Sequence, residues 1–369
     1  LVHFVLPFSL AAVISAVLMP VARGVGWVDS PGARKRHHGP TPLVGGVAIF
    51  LAIVVSALFS GLWQEYKALI AFGAMSLVFG LYDDVRPLSA MSRLILQGVA
   101  AAMAVFAGGV LLHDVGNLLA TGIVTLGVLA VPVTIFCIVG VMNAMNMSDG
   151  MDGSAGGLAL VTLLSMAYLA VGIRHAEFLL LVAAAVAGFM VLNMRSPVLR
   201  RAKIFMGDAG SLMLGGILAW FLIDLSQGPE RAFSPVVALW LFALPLLDTV
   251  SLMILRVLKG RSPFSPGREH FHHILLRAGF SVGEAGSMLI GLAVILAMVG
   301  VLGNELSIPE WTLFVAFIVL FAGSFWGMSR ASRLVRYFRR KRGGKHAASV
   351  QSEDGCSEKE NPHCDKRAA

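Results

Sequence analysis

Apolar runs of about 18 or more residues recur along this 369-residue chain, each long enough to cross a hydrocarbon core about 30 Å thick. No other feature constrains the fold as strongly. Charged residues make up 14% of the chain and hydrophobic ones 57%, with a mean hydropathy of +0.80. A water-soluble domain carries about 25% charged residues, so this chain lacks the polar surface to coat a soluble globule of its size. The expected architecture is an all-α, polytopic membrane bundle. Eleven spans are expected, at about 2–22, 43–61, 68–82, 93–112, 121–140, 155–173, 176–194, 209–225, 236–256, 284–303 and 310–328. Polar or Gly/Pro-rich breaks separate them. The first run has no charged leader and no A-x-A-like site, so it reads as a span, not a cleaved signal.

Eleven spans put the termini on opposite sides. The loops after spans 1, 3, 5, 7 and 9, together with the C-terminal tail, hold 26 of the 29 Lys and Arg residues; the other side has only Lys67, Arg174 and Arg231. The positive-inside rule makes the first set cytoplasmic and places the N-terminus outside. It also accounts for the net charge of +8 without a nucleic-acid partner. Three segments follow: a transmembrane catalytic part over 1–329, a basic juxtamembrane helix over 330–345 against anionic head groups, and a polar, disordered tail over 346–369. Three cysteines make no disulfide framework. Cys137 reads as a packing residue, and Cys356, His363 and Cys364 in the tail fall short of a metal-ligand set.

The chemistry gathers in the cytoplasmic loops. The first carries Asp29, Arg34, Lys35, Arg36, His37 and His38. The second starts at a helix end with Asp83 and Asp84. The third reads Asn143-x-x-Asn146-x-x-Asp149-Gly-x-Asp152-Gly153. The fourth runs from Arg200, Arg201 and Lys203 through Phe205-Met-Gly207-Asp208 to Gly210 and Ser211. The fifth holds Arg268, Glu269, His270, His272 and His273. Taken singly, each has a plain structural reading as a polar helix end, a turn or an interfacial pair. Sharing one side, they point to chemistry. Clustered carboxylates repel and call for a cation; oxygen ligands favour Mg²⁺, with Mn²⁺ as the alternative, over Zn²⁺. Basic groups suit phosphates, and free amides at the start of the eighth span, around Gly207, Gly210 and Ser211, could face an anion. Together these features indicate metal-assisted phosphoryl transfer. Asp248 lies inside the ninth span, where a charge is costly. Asp224 and His113 read as interfacial on the outer side.

These motifs resemble the polyprenyl-phosphate N-acetylhexosamine-1-phosphate transferases, over about residues 20 to 330. The carriers are the Asp83-Asp84 pair, the Asn143–Gly153 loop, the Phe205–Ser211 stretch and the histidine motif at His270–His273. Within the family, Ser262 to His273 followed by Arg277-Ala-Gly-Phe280 is most similar to the branch using N-acetylglucosamine. The resemblance implies a bacterial inner-membrane enzyme of ten or eleven helices with a cytoplasmic site and a periplasmic N-terminus. Its implied reaction moves GlcNAc 1-phosphate from UDP-GlcNAc to undecaprenyl phosphate, releases UMP and starts a surface polysaccharide. It implies Asp208 and Asn146 as metal ligands and Phe205 as a stacking partner for uracil. Asp83 and Asp84 would lie near the lipid phosphate, and Asp149 and Asp152 in the catalytic loop. His270, His272 and His273, with Arg268, would hold the pyrophosphate or sugar. Asp29 and Lys35 would help close the site, and Asn143 and Asn193 join the substrate-binding set. Ser148 and Ser154 depart from the family, which has apolar residues there; both flank the aspartates, so altered packing is expected.

The expected partners are thus a UDP-N-acetylhexosamine, undecaprenyl phosphate and the bilayer, with a homodimer left open. Another UDP-N-acetylhexosamine remains an alternative donor, since one epimer changes only a contact or two. A secondary transporter is the rival from another class, with Asp248 on its path, although transporters keep polar groups near the midplane and show paired halves.

Overall fold

The computed structural model describes residues 2–29, 39–173, 175–196, 199–263, 267, 269–331, 333 and 335–336. The architecture is helical throughout: α1 Val2–Val25, α2 Gly45–Phe59, α3 Trp63–Val85, α4 Ala90–Phe106, α5 Ala130–Ser148, α6 Ser154–Leu169, α7 Ala176–Asn193, α8 Gly207–Asp224, α9 Pro235–Leu241, α10 Ala243–Leu258, α11 Phe271–Arg277, α12 Val282–Glu305 and α13 Glu310–Ser329. One two-residue ribbon, β1 Val28–Asp29 with β2 Thr41–Pro42, closes the first loop antiparallel. Lys35 and Arg268 lie outside the described residues, as does the tail over 346–369. The basic segment over 330–345 is described only at 330, 331, 333, 335 and 336.

Seven helices are long and apolar enough to cross a membrane: α1, α3, α5, α7, α8, α12 and α13. α9 and α10 together pass the same test as a bent pair, and α2, α4 and α6 are apolar but shorter. The protein is therefore a polytopic helical membrane protein. Every expected apolar run falls on a helix or, at 236–256, on the bent pair.

Several boundaries differ from the sequence reading. The run at 236–256 is not one helix: it turns by 86° between α9 and α10. Pro245 is the physical cause. It has no N–H, and its ring would clash with the carbonyl of Leu241 in a continuous helix; starting a new helix at Ala243 puts the proline in a first turn, where it is tolerated. The run at 93–112 ends at Phe106, and that at 121–140 starts only at Ala130. Between them the chain is irregular, with a bridge between Asp114 and Thr125, because Gly109, Gly116 and Gly122 adopt positive φ. In compensation α5 runs to Ser148, so Asn143 and Asn146 stand on a helix and not in a loop.

α8 is the centre of the bundle. Of its most apolar stretch 83% is buried, against 17% for α1 and α13 at the edges. Lipid offers no hydrophobic drive between helices, so close packing of small residues must do that work. The start of α8 is rich in them. A Cβ on Gly210 would stand 2.7 Å from the Cα of Gly46 in α2, and one on Gly80 of α3 would collide with the backbone of Ala209. Three helices thereby approach backbone to backbone at the end of the bundle that carries the aspartates.

Candidate active site

The start of α8 is held from outside. The Asp84 carboxylate accepts the N–H of Asp208 at 2.8 Å and that of Ala209 at 3.2 Å. A carboxylate there satisfies donors that the helix cannot and lies at the positive end of its dipole. The amides expected to be free for a substrate anion are in part occupied by Asp84. Gly207 makes this possible: it has φ +75°, and a side chain on it would press against Asp84. Asp83, one residue earlier, turns inward. It is buried, accepts the N–H of Leu88 at 2.7 Å and pairs with Arg93 Nε at 2.6 Å. Both aspartates thus have protein partners.

Asp208 sits at the mouth of the cluster, with its side chain one third exposed. Asn146 Nδ2 donates to Asp208 Oδ1 at 2.8 Å and to Ser211 Oγ at 2.9 Å, and Arg93 Nη2 lies 3.9 Å from Asp208 Oδ2. Asn143, one turn back on α5, donates to buried Gln97 Oε1 at 2.6 Å and to the Val139 carbonyl at 2.8 Å. Arg93 and Gln97 were not singled out in the sequence. The only signal for Arg93 was a cation at the foot of an apolar run facing an aspartate pair.

Asp149 follows the last residue of α5. Among the described residues its carboxylate has no hydrogen-bond or ion-pair partner, unlike those of Asp83, Asp84, Asp152 and Asp208. Burial raises its pKa to about 7, and the negative charges of Asp208, Asp84 and Asp152 add to the shift. Asp152 instead accepts Arg195 Nε at 2.7 Å and the Ala202 N–H at 3.2 Å. Asn193 is a clamp: its Oδ1 accepts the Gly153 N–H at 3.0 Å and its Nδ2 donates to the Ile204 carbonyl at 2.9 Å. It fixes the Asp149–Gly153 turn against the irregular segment that leads into α8. Phe205 is half-buried in that segment. Its N–H donates to the Pro42 carbonyl at 2.8 Å and its carbonyl accepts from Gly45 at 3.0 Å. Asp29, paired in the ribbon opposite Thr41, is brought to the same flank.

The histidine segment docks from the other side. His270 Nδ1 lies 2.8 Å from Asp248 Oδ2, and the Phe271 N–H donates to Asp248 Oδ1 at 2.9 Å. Asp248, the costly charge inside the ninth span, therefore orients His270 and caps α11. The 86° turn carries it to the segment it serves. His270 and His272 stack with ring centroids 5.4 Å apart, and His272 and His273 lie at 4.1 Å. His272 packs directly on Gly150, where any side chain would strike its ring. Burial lowers the His272 pKa to about 3, with His273 and His270 contributing like charge, so this imidazole is neutral. Lys259 Nζ donates to Glu269 Oε1 at 2.9 Å, which lowers the Glu269 pKa and tethers the segment to the end of α10.

Among the described residues no three His, Cys, Asp or Glu side chains converge as a ready-made metal site. The donor set nevertheless fits a hard cation, since Mg²⁺ uses one or two protein carboxylates and takes its other oxygens from water and phosphates. Asp208 offers a carboxylate one third open to solvent, and its charge is among those that raise the pKa of nearby Asp149. Asn146 points its N–H groups at Asp208, so a shared cation would need its amide turned over.

At the far end of the bundle the polar groups pair among themselves. His175 Nε2 lies 2.9 Å from Asp224 and its Nδ1 lies 2.7 Å from the Tyr66 hydroxyl. Gln227 accepts the N–H of His113, and Arg231 pairs with Glu310. Asp224 is thus a partner in a buried contact and more than an interfacial charge.

The profile of glycosyl transferase family 4 matches residues 66–226, from α3 to just past α8. It takes in the aspartates and stops short of the histidine segment. Longer matches take in both. The chain is 34% identical over 342 residues to an undecaprenyl-phosphate alpha-N-acetylglucosaminyl 1-phosphate transferase of Yersinia pestis, covering 91% of this chain and 93% of that one. To the protein so named in Escherichia coli (strain K12) it is 35% identical over 330 residues, covering 87% and 88%. To that of Haemophilus influenzae it is 34% identical over 332 residues, covering 88% and 92%.

Proposed function

Because the chain belongs to glycosyl transferase family 4, we propose that it transfers N-acetylglucosamine 1-phosphate from UDP-N-acetylglucosamine to undecaprenyl phosphate and releases UMP. The single observation that carries this is the gathering of Asp83, Asp84, Asp149, Asp152 and Asp208 with three histidines at one end of a membrane bundle. The relatives' names supply the acceptor and the sugar. In this reading all eleven apolar segments span the bacterial inner membrane, the site faces the cytoplasm, and the N-terminus is periplasmic.

The residues divide the work. Asp208 and Asn146 would hold a Mg²⁺ ion, which when bound offsets negative charge on the diphosphate. Phe205 would stack on the uracil, beside Asp29 and Lys35 at the closing flank. His270, His273 and Arg268 would bind the diphosphate or sugar, with His270 oriented by Asp248. The lipid phosphate oxygen attacks the sugar-linked phosphorus, and the bond to the UMP oxygen breaks. A phosphate monoester has its second pKa near 6, so the acceptor is already mostly ionised at neutral pH. A base is therefore of little use, and Asp83 and Asp84 act by position: one fixes Arg93, the other fixes the start of α8. Asp149, whose carboxylate has no hydrogen-bond or ion-pair partner among the described residues, is left free to meet ligand.

The transporter reading rested on Asp248, which is engaged with His270 and Phe271. The test is UMP release by purified protein with undecaprenyl phosphate and a panel of UDP-N-acetylhexosamines. UDP-GlcNAc should give the fastest release, chelation should stop it and Mg²⁺ should restore it. No release with any donor would sink the enzyme reading; faster release with another sugar would replace the donor. Asp83→Asn should be inactive at both pH 7 and pH 9, whereas substantial recovery at pH 9 would show a true base.

A further inference from the structure

A second polar feature lies beside the aspartate site and is used by none of the steps above. It is a cleft of about 500 Å³ lined by Arg23, Pro40, Thr41, Leu199, Arg200, Arg201, Ala202 and Lys203. Four of these side chains are cationic and none is acidic. All four cations are exposed, and none has an ion-pair partner among the described residues. The walls are fixed in place. The Ala202 N–H is held by Asp152, the Lys203 N–H by the Leu192 carbonyl, and Leu199 is tied to Ser196 through both its N–H and its carbonyl. Four unpaired cations on a pinned backbone repel one another unless an anion joins them.

The position of the cleft says which anion. Arg23 stands in the last turn of α1, where that span ends, and Lys203 is bonded to the end of α7. α1 buries Ala11, Ser15 and Ala22 and leaves Val5, Val13, Val17 and Val21 exposed on its outer arc, the arc that also carries Arg23. An apolar strip along an edge helix thus leads up to a basic cleft at the level where the spans end. That sequence of surfaces, tail-length apolar and then cationic, complements a phospholipid with an anionic head group. We propose that the cleft binds the phosphate head group of an anionic phospholipid whose acyl chains lie along α1.

Through Asp152 the site touches the catalytic turn, since one carboxylate oxygen of Asp152 accepts both Arg195 Nε and the Ala202 N–H of the cleft wall. Lipid occupancy would steady that wall.

The test is lipid retention by the purified full-length protein, read by native mass spectrometry with added phosphatidylglycerol or phosphatidylcholine. It does not depend on turnover, so it stands or falls apart from the proposed reaction. Wild type should retain phosphatidylglycerol over phosphatidylcholine by about tenfold or more, as expected for two or more basic contacts at about 1 kcal/mol each. Arg200→Gln/Arg201→Gln should remove most of that preference, and Arg23→Gln, on a different element, should reduce it. Lys259→Gln/Arg261→Gln, which takes the same charge from the same end of the bundle, should leave it intact. An equal loss in that control pair would mean diffuse surface charge and overturn the site. Full displacement of phosphatidylglycerol by millimolar inorganic phosphate would make it a soluble-anion site and also overturn the proposal. Displacement by equimolar undecaprenyl phosphate alone would reassign the cleft to the acceptor.

Discussion

At the scale of residues, the aspartates are not equivalent, and their partners predict how each will respond to change. Asp84 caps α8 from a neighbouring helix. Asp84→Ala should lower stability by about 1 kcal/mol, as for loss of a helix cap, seen as a fall in the thermal midpoint, and should abolish activity because Asp208 moves with that helix end. Asp149 has a folded-state pKa raised to about 7 from 3.8. The folded protein therefore holds this proton while the unfolded chain has lost it, so this group's contribution to stability falls as pH rises from about 4 to 7 and is flat above. Without divalent cations, Asp149→Asn should raise the thermal midpoint by a few degrees at pH 8 and by much less at pH 4.5. No difference between the two pH values would contradict the burial of this charge. His272 has the opposite sign. Its folded pKa is lowered to about 3 from 6.5, so its contribution is complete above pH 6.5 and is lost progressively as pH falls toward 3. Between pH 7.5 and pH 5 the midpoint should drop more for wild type than for His272→Gln.

At the scale of elements, two devices position the site. One is the close approach of α2, α3 and α8 through Gly46, Gly80 and Gly210. Backbone cannot yield as a flexible side chain can, so Gly210→Val should cost about 1–3 kcal/mol from overpacking and shorten the life of the detergent-solubilised protein. The other is the break between α9 and α10. It lets a residue in the middle of an apolar run reach α11, where Asp248 fixes His270 and the first N–H of that helix. Asp248→Asn keeps the shape but leaves one acceptor oxygen where two now hold the His270 ring and the Phe271 N–H. Its kcat for UMP release should fall on the order of 10² -fold, the scale of a misplaced catalytic group, with a smaller change in KM for the donor. A change in KM alone would make Asp248 a binding support only.

At the scale of the whole molecule, the two ends of the bundle differ in kind. At one end carboxylates, histidines and cations face a common space; at the other, Tyr66, His175 and Asp224, or Arg231 and Glu310, pair among themselves. The orientation follows if basic loops stay inside. In a background without the three native cysteines, a cysteine at Ser262 should react with an impermeant maleimide only after the inner face is exposed, and one at Gly228 should react from the outside in intact spheroplasts. The reverse pattern would invert the topology and count against the proposed nucleotide-sugar donor.

The sequence by itself determined that this chain is a bundle of apolar helices, because the length of an uninterrupted apolar run is a local property. Counting loops leads to the expectation that the aspartate and histidine motifs share one side, and the fold gathers them at one end of the bundle. What the sequence could not determine was which polar group meets which. Asp83 and Asp84 are neighbours in sequence, yet one is bound to Arg93 and the other to the backbone of a helix 124 residues on. Asp248 looked like a lone intramembrane charge until the turn at Phe242 delivered it to His270. Those pairings are set by how helices pack and where one breaks, and packing joins residues far apart in the chain. The same division applies to the aspartates: their presence was legible in the motifs, whereas the packing decided that Asp149, among the described residues, has no hydrogen-bond or ion-pair partner.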